Sequence, residues 1–244
     1  KIKLSNIQLR TNFTDSAEKE LIINATLEGS DKEQVLFETK DLFCQEQTLE
    51  KGENSIIIKL PENAILWDEF NPHIYQLKIQ IKNQEENQTI LNYGIRKKKK
   101  KNNHFEINNQ RIFLRGKHDG MIFPKTGYAP TDVESWLKVM KTAKEYGINH
   151  YRFHTCCPPK AAFEAADILG IYMEPELPFW GTIQGKDEEG FNEAEQNYLI
   201  SEGFRILDEF GNHPSFCMMS LGNELWGNQD RLEEILANYK AHDS

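Results

Sequence analysis

The sequence lacks the features that mark several common classes of protein. It has four cysteines in 244 residues, too few for a disulfide scaffold of this length, and we expect free thiols. No stretch approaches the roughly 20 consecutive apolar residues that a membrane helix needs, so no membrane partner is predicted. The net charge of −9 gives no general electrostatic reason to bind nucleic acid or an anionic surface. A neutral partner fits this composition better.

Signatures of cofactor and metal binding are also missing. The glycines in "LRGKHDG" and "LGNELWG" do not have the G-x-G-x-x-G or G-x-x-x-x-G-K spacing that cradles a nucleotide. The run "HTCC" could suggest a metal site completed by Cys217 or His213, but it lacks the two-residue spacing of zinc knuckles. The sequence therefore predicts no cofactor and no metal, and it favours structural cysteines.

Residues 1–96 are rich in short alternating apolar runs. These runs are separated by turn-rich pieces such as "EGSDKEQ", and they include "LIINATLE", "NSIIIKL" and "IYQLKIQIKN". The period of two predicts strands, and about seven short strands would be an immunoglobulin-like count. We therefore predict an all-β sandwich over residues 1–96 with no catalytic group.

Residues 97–103 form a low-complexity basic run, "KKKKKNN". Its composition is typical of a solvated linker. A docking patch for an acidic partner is the alternative interpretation. The run therefore separates the predicted sandwich from a second domain over residues 104–244.

Strand and helix patterns alternate in the second domain. Helices are predicted in "TDVESWLKVMKTAKEYG", where Thr131 and Glu134 form a capping box, and in "PPKAAFEAADILG", "EAEQNYLISEGFRILDEFG" and "DRLEEILANYKAH". Strands are predicted in "RIFLRGKHD", "HYRFH", "IYMEPEL" and "SFCMMSLGNE". Consecutive strand–helix units imply parallel strands with right-handed crossovers, either in a doubly wound sheet or in part of a (β/α)8 barrel.

Polar side chains recur at the carboxyl ends of these predicted strands. They are Lys117, His118 and Asp119, then Arg152 and His154, then Glu174 and Glu176, and finally Asn223 and Glu224. In barrels and in open α/β sheets alike, that end of the strands is where sites are built. We therefore expect the functional site there.

Several segments resemble, in order and spacing, successive signatures of glycoside hydrolase family 2. The segments are "FEINNQRIFLRG", "YGINHYRFH", "ADILGIYMEPELP" and "NHPSFCMMSLGNE". Upstream, "LWDEFNPHIYQLKIQI" and "NYGIR" resemble the end of the immunoglobulin-like domain that precedes the catalytic barrel of this family. The resemblance implies an immunoglobulin-like sandwich followed by a truncated TIM barrel, comprising the first four β/α units of a (β/α)8 fold.

The family includes β-galactosidases, β-glucuronidases and β-mannosidases. The resemblance therefore implies a retaining hydrolase of O-glycosidic bonds in β-linked sugars, with an oligosaccharide or glycoside as its partner. It implies that Glu224 is the general acid/base and that Asn223 hydrogen-bonds the sugar 2-hydroxyl. A carboxyl between apolar packing and an open cleft would be desolvated, which favours the protonated form that donates to a leaving oxygen. The alternative is that Glu224 is only a first-turn acid of the next helix.

Other candidates follow from the same resemblance. Arg152 is similar to an arginine that orients the nucleophile, the alternative being a salt bridge in the barrel mouth. His154 lies where the family often has Arg-x-Ser-His-Tyr-Pro, whereas this chain reads "RFHTCCPP", so a sugar contact and a packed histidine both stay open. His118 and Asp119 stand where the family commonly has Asn and His, and contacts to sugar hydroxyls are predicted for them.

Acidic and aromatic residues complete the expected site. Glu176 matches a family acid on the third strand and is a substrate-binding candidate, while Glu174 is interpreted as structural. Either Trp180 or Trp226 could stack on a sugar face, and Trp226 is favoured because it stands close to the acid in sequence.

The expected nucleophile is not among these residues. Retaining glycosidases need a second carboxylate about 5 to 5.5 Å from the first, and in the family it comes from a later barrel strand, beyond residue 244. We therefore expect about half a barrel, inactive by itself. The alternatives are a non-catalytic carbohydrate-binding relative and an α/β protein unrelated to sugars.

Overall fold

A computed structural model describes residues 1–14, 18–82, 84, 86 and 88–242. The chain divides into two compact units, Lys1–Phe113 and Leu114–Ser244. No helix among the described residues is long and apolar enough to cross a membrane.

The first unit is built on a five-stranded antiparallel sheet. Its strands are β1 (Lys3–Phe13), β2 (Lys19–Thr39), β3 (Phe43–Lys59), β4 (Tyr75–Ile81) and β5 (Gln88–Tyr93). The order is β1-β2-β4-β5, with β3 also paired to β2. The described strands are fewer and longer than the predicted short runs, because β2 spans 21 residues and β3 spans 17. A register shift between Leu27 and Lys32 divides the β2–β3 hairpin. On its other edge, β2 pairs with β1 before this shift and with β4 after it.

The core of this unit follows the period-two pattern of the sequence. Leu21 and Ile23 before the register shift, and Val35 and Phe37 after it, have no exposed surface. All four belong to one hydrophobic cluster. Alternate residues of both halves of β2 therefore face a shared core, as expected for half-buried strands.

The lysine run is a strand, and the prediction of a solvated linker over residues 97–103 is wrong. β6 (Lys98–Lys101) pairs antiparallel with β7 (His104–Ile107), which pairs with β8 (Gln110–Arg111). The turn uses Asn102 at φ 53°, a left-handed conformation that asparagine tolerates better than most residues. Lysines suit this edge position because their charge discourages pairing with another chain.

The second unit alternates strands and helices. Its elements are β9 (Gly116–Asp119), α1 (Val133–Glu145), β10 (His150–Phe153), α2 (Lys160–Leu169), β11 (Tyr172–Glu174), β12 (Trp180–Ile183), α3 (Glu193–Phe210), β13 (Asn223–Gly227) and α4 (Gln229–His242). β9, β10 and β11 are parallel neighbours in chain order. Residues 215–220 run beside β11 through the parallel bridges Met173–Phe216 and Glu176–Ser220. The sheet therefore continues in chain order into a fourth, irregular segment.

Sequence signals at the helix ends are only partly as predicted. α1 begins after Asp132, whose carboxylate accepts from the Ser135 amide at 2.8 Å, so the capping box predicted at Thr131 is one residue too early. α2 begins after Pro159 and ends at Gly170, which has φ 69°, and this stop is confirmed.

The strands of the second unit have one apolar face and one polar face. Tyr151 and Phe153 of β10 pack with Met173 of β11 in the core cluster that the helices cover. Because successive side chains of a strand point to opposite faces, His150 and Arg152 lie on the other side of the sheet. This alternation positions the charged residues described below.

A glycine inside α3 allows α4 to pack closely. A Cβ on Gly203 would lie 2.3 Å from the ring carbon Cζ of Tyr239. The Tyr239 hydroxyl donates to the Leu199 carbonyl at 3.0 Å, which fixes the ring over the glycine. The contact between the last two helices therefore depends on the absence of a side chain at residue 203.

We expect Gly203→Ala to lower the free energy of unfolding by about 1–3 kcal/mol, because overpacking outweighs the roughly 1 kcal/mol that alanine gains in helix propensity. Ser201→Ala, at an exposed position of the same helix, is the control and should change stability by less than about 0.5 kcal/mol. Urea denaturation measures both. A Gly203→Ala protein as stable as the control would contradict the packing argument.

Candidate active site

Arg152 on β10 connects two neighbouring segments at the carboxyl ends of the strands. Its Nε donates to Glu176 Oε1 at 2.7 Å, and its Nη2 donates to Asn223 Oδ1 at 2.9 Å. Nη2 also lies 2.6 Å from Glu176 Oε1. One guanidinium therefore fixes the segment after β11 and the first residue of β13.

Glu176 is enclosed by protein donors. Its exposed fraction is 0%, and its Oε2 accepts from the Thr155 amide at 2.8 Å. A buried carboxylate requires this compensation by a cation and hydrogen bonds. Both oxygens are therefore occupied, and the prediction that Glu176 contacts substrate is wrong. Its position makes it a partner of Arg152.

Glu224 projects from a strained turn. Its φ is 46°, a left-handed conformation that costs a residue other than glycine about 1 kcal/mol or more. A Cβ on the neighbouring Gly222 would lie 2.4 Å from the Phe179 carbonyl oxygen, so that turn requires glycine. Backbone strain of this kind clusters at functional sites.

The surroundings of Glu224 differ from the expected apolar pocket. The residue is exposed, and its Oε2 accepts from Trp180 Nε1 at 3.0 Å. Residues 215–220 run beside β11, whereas β13 begins at Asn223 and pairs with β12, and the exposed Glu224 there lacks the expected desolvation. The described residues hold this carboxylate by a hydrogen bond instead of by apolar packing.

A row of rings leads from β9 to this carboxylate. His118 and His154 meet edge to face with centroids 5.0 Å apart, and His154 meets Trp180 in the same way at 5.8 Å. The structure therefore brings His118 and His154 to the side of Glu224, at the ends of β9 and β10.

Trp180 is the tryptophan that contacts the acid, whereas the sequence favoured Trp226. Trp226 lies in β13 opposite Thr182 and is 54% exposed. The sequence named both tryptophans as candidates for stacking on a sugar face, and proximity in sequence does not identify the one that bonds to the acid.

Asp119 lies on the helix side of the sheet, and the predicted sugar contact is wrong. Its carboxylate accepts from the Met121 amide at 2.7 Å and pairs with Lys117 at 2.5 Å. The Lys117 ammonium stands 4.8 Å from the ring centre of Tyr151, a residue of the helix-side core. Since His118 separates Lys117 from Asp119, the alternation of the strand turns only His118 towards the other face.

The adjacent cysteines Cys156 and Cys157 are partly buried free thiols. Burial raises the pKa of Cys156 to about 11, with a smaller contribution from the Asp119 and Glu176 carboxylates, and burial raises the pKa of Cys157 to about 12. Both are therefore neutral near pH 7. Among the described residues, no group of three or more His, Cys, Asp or Glu side chains is arranged to hold a metal ion.

Residues 99–244 match the family described as "Glycosyl hydrolases family 2, TIM barrel domain". The chain belongs to glycoside hydrolase family 2. The parallel segments of the second unit are therefore part of a TIM barrel, and the acid, the arginine and the rings lie at the carboxyl ends of barrel strands, where such enzymes place their sites.

Individual relatives agree with this assignment. A β-galactosidase of Leuconostoc mesenteroides is 28% identical over 197 residues, which are 78% of this chain and 19% of that protein. A family 2 glycosyl hydrolase from Bacteroides cellulosilyticus superposes with a TM-score of 0.81 at 18% identity, over 100% of this chain and 34% of that one. β-Glucuronidase 3 of Bacteroides uniformis gives a TM-score of 0.78 at 17% identity, over 99% of this chain and 32% of that one.

These solved structures establish likeness of fold alone. The chain spans about a fifth of the length of the Leuconostoc β-galactosidase and about a third of the two solved chains. The activity of the whole polypeptide is therefore proposed in the next section.

We expect Arg152→Met to lower the free energy of unfolding by about 3 kcal/mol, the lower end of the range for broken buried pairs, because it leaves the Glu176 charge uncompensated while the guanidinium itself is partly exposed. Adding Glu176→Gln should recover part of that loss. Arg205→Met, at an exposed arginine of α3, is the control. Chemical denaturation measures all three, and a double variant no more stable than Arg152→Met would contradict the charge argument.

Proposed function

We propose that this chain carries the general acid/base of a retaining glycosidase that hydrolyses O-glycosidic bonds of β-linked sugars. Family membership and the names of the relatives, a β-galactosidase and a β-glucuronidase, support this class of substrate. One observation carries the proposal. Asn223 and Glu224 are adjacent at the carboxyl ends of barrel strands, Asn223 anchored by Arg152 and Glu224 by Trp180.

Glu224 is the proton donor to the leaving oxygen, and its carboxylate then acts as base towards the attacking water. Trp180 engages Oε2 and so fixes the direction of the carboxyl group. The exposed side chain leaves the other oxygen accessible to a glycosidic oxygen. The left-handed backbone at Glu224 supports a functional role, because that conformation costs stability without serving packing.

Asn223 donates to the sugar 2-hydroxyl. Its Oδ1 is the acceptor for Arg152, which orients the amide and directs the two N–H donors of Nδ2 elsewhere. A hydrogen bond to the 2-hydroxyl that strengthens in the transition state needs such a donor. Arg152 therefore supports Asn223 while it compensates Glu176.

The row of rings forms one wall of the sugar-binding site. Trp180 is 60% exposed and offers a face for stacking on a pyranose. His118 and His154 stand beside it and can donate to or accept from sugar hydroxyls. Trp226, also exposed, is proposed as an outer platform for the aglycone or the next sugar.

The nucleophile comes from a part of the barrel outside these 244 residues. Arg152 orients it, since its side chain is 35% exposed beside the bonds it already makes. Glu176 cannot take this role because it has no exposed surface from which to reach a sugar. The small share of the relatives that the chain spans supports a second carboxylate elsewhere.

The two units have different roles in this proposal. Residues 1–96 are an immunoglobulin-like sandwich that braces the enzyme and supplies no catalytic group, supported by their antiparallel strands and single core. Within residues 104–244, the part from β9 onwards comprises the first four β/α units of the barrel, supported by the chain order of the parallel segments.

We expect Glu224→Gln in the full-length polypeptide to lower kcat/KM on an unactivated aryl glycoside by about 10²–10⁴-fold, the typical contribution of a general acid. Assays on aryl β-galactosides, β-glucuronides and β-mannosides would identify the sugar and measure the loss. Glu189→Gln, at an exposed position between β12 and α3, is the matched control and should keep activity. A wild-type polypeptide that binds these sugars without hydrolysing any would indicate the carbohydrate-binding alternative.

The loss should depend on the leaving group. The dinitrophenolate of a dinitrophenyl glycoside needs little protonation to depart. The variant's fold-loss in the rate of glycosylation should therefore be at least about tenfold smaller on this substrate than on a glycoside with a poor leaving group. Pre-steady-state rates on both substrates measure this difference. Equal losses would mean that Glu224 holds the site together and does not donate a proton.

We expect the 244-residue chain by itself to show no glycosidase turnover, because an acid without a nucleophile cannot form the glycosyl-enzyme intermediate. Prolonged incubation with the same aryl glycosides at high protein concentration tests this. Turnover abolished by Glu174→Gln would show that Glu174 serves as the second carboxylate.

A further inference from the structure

The polar face of the barrel sheet carries a second contact between a basic and an acidic side chain that the proposed mechanism does not use. His150 Nε2 on β10 lies 3.0 Å from Glu174 Oε2 on β11. His150 is 6% exposed, and the Glu174 side chain is 20% exposed. Within the described part of the chain, His150 Nε2 has no aligned hydrogen bond, so this contact is a close approach of two polar atoms. It lies two residues before the Arg152–Glu176 pair on both strands.

The neighbouring strand leaves room for the imidazole. Gly116 of β9 stands directly opposite His150 in the ladder, and a Cβ there would lie 3.0 Å from His150 Nδ1. A side chain at residue 116 would therefore crowd the ring. Three adjacent strands together fix the position of His150.

The register creates a competition for Arg152. Directly opposite Arg152 in the β10–β11 ladder is Glu174, yet the guanidinium bonds to Glu176. Opposite side chains of neighbouring strands start about 5 Å apart, so Glu174 lies within reach of Arg152. Glu174 is therefore a competing acceptor for the Arg152 guanidinium.

We infer that His150 is a positioning residue, which holds Glu174 and so leaves Arg152 to bind Glu176 and Asn223. The charged groups that face it are Glu174 from β11 and Arg152 on its own strand. Without the imidazole, Glu174 draws the guanidinium towards itself, and Asn223 loses the donor that orients its amide. This role rests on the proposed glycosidase function, because its consequence for catalysis passes through Asn223 and its neighbour Glu224.

Kinetics of four variants of the full-length polypeptide test the inference. His150→Ala should lower kcat about tenfold on an aryl β-glycoside, with KM nearly unchanged, since misplacing groups that act in the transition state lowers kcat. His150→Gln keeps a polar side chain of similar size beside Glu174 and should lose less activity than His150→Ala. Glu174→Leu removes the competitor and should also stay within about threefold.

The decisive variant is His150→Ala/Glu174→Leu. It should recover kcat to within about threefold of wild type, because no carboxylate is left to divert Arg152. A residue that only fills space would give a double variant as impaired as His150→Ala or more so. That result would overturn the inference.

Crystal structures of the variants give a readout that does not depend on activity. In His150→Ala, the Arg152 guanidinium should move to within hydrogen-bond distance of Glu174 and leave Asn223, whereas in the double variant it should bind Glu176 and Asn223 as in wild type. Retention of both native bonds in His150→Ala would overturn the inference even if activity fell. A polypeptide without glycosidase activity would contradict the proposed function, and these structures would still decide the role of His150.

Discussion

The arrangement of the site depends on compensating one buried charge. Glu176 has no exposed surface, and an uncompensated carboxylate there would cost several kcal/mol. Arg152 and the Thr155 amide supply the compensation, which fixes the guanidinium over the end of β11 and ties the turn after β10 to the same carboxylate. Because the same guanidinium reaches Asn223, the position of the residue next to the proposed acid follows from neutralising Glu176. A single electrostatic requirement thus connects the ends of β10 and β11 with the first residue of β13.

The alternation of the strands decides which charged residues can take part. Residues two apart on β10 and β11 share a face, so His150 and Arg152 meet Glu174 and Glu176, while Tyr151 packs under the helices. Asp119 carries the same chemical group as the proposed acid, yet it lies on the other face and serves Lys117 and a turn. Residue type and position at a strand end were therefore insufficient to select site residues. The face of the sheet to which each side chain points was needed as well.

This explains how far the sequence could predict the structure. Period and capping signals located the helices and the parallel order of the strands, since those follow from local patterns. The same signals missed the strand at Lys98–Lys101, because hydrogen bonds to β7 override the low strand preference of lysine. The sequence named Trp180 only as one of two tryptophans that could stack on a sugar, and its bond to Glu224 spans 44 positions through the pairing of β12 with β13. Contacts set by such non-local pairing leave no pattern in a single sequence. Arg152, Asn223 and Glu224 were predicted as site residues from a family resemblance, which encodes them together.

Backbone strain marks the same end of the sheet independently of any side chain. Met121, Thr155 and Glu224 have φ values of 52°, 53° and 46°, and each follows a parallel segment of the barrel. Such conformations cost about 1 kcal/mol or more each for residues other than glycine. At Thr155 the strained turn allows the backbone amide to donate to Glu176 Oε2. At Met121 it allows the amide to donate to Asp119. At Glu224 the strained conformation adds no packing among the described residues, since the side chain is exposed. The proposed role of Glu224 as general acid accounts for the strain there, because that role requires the carboxylate to reach a group bound in the mouth of the barrel.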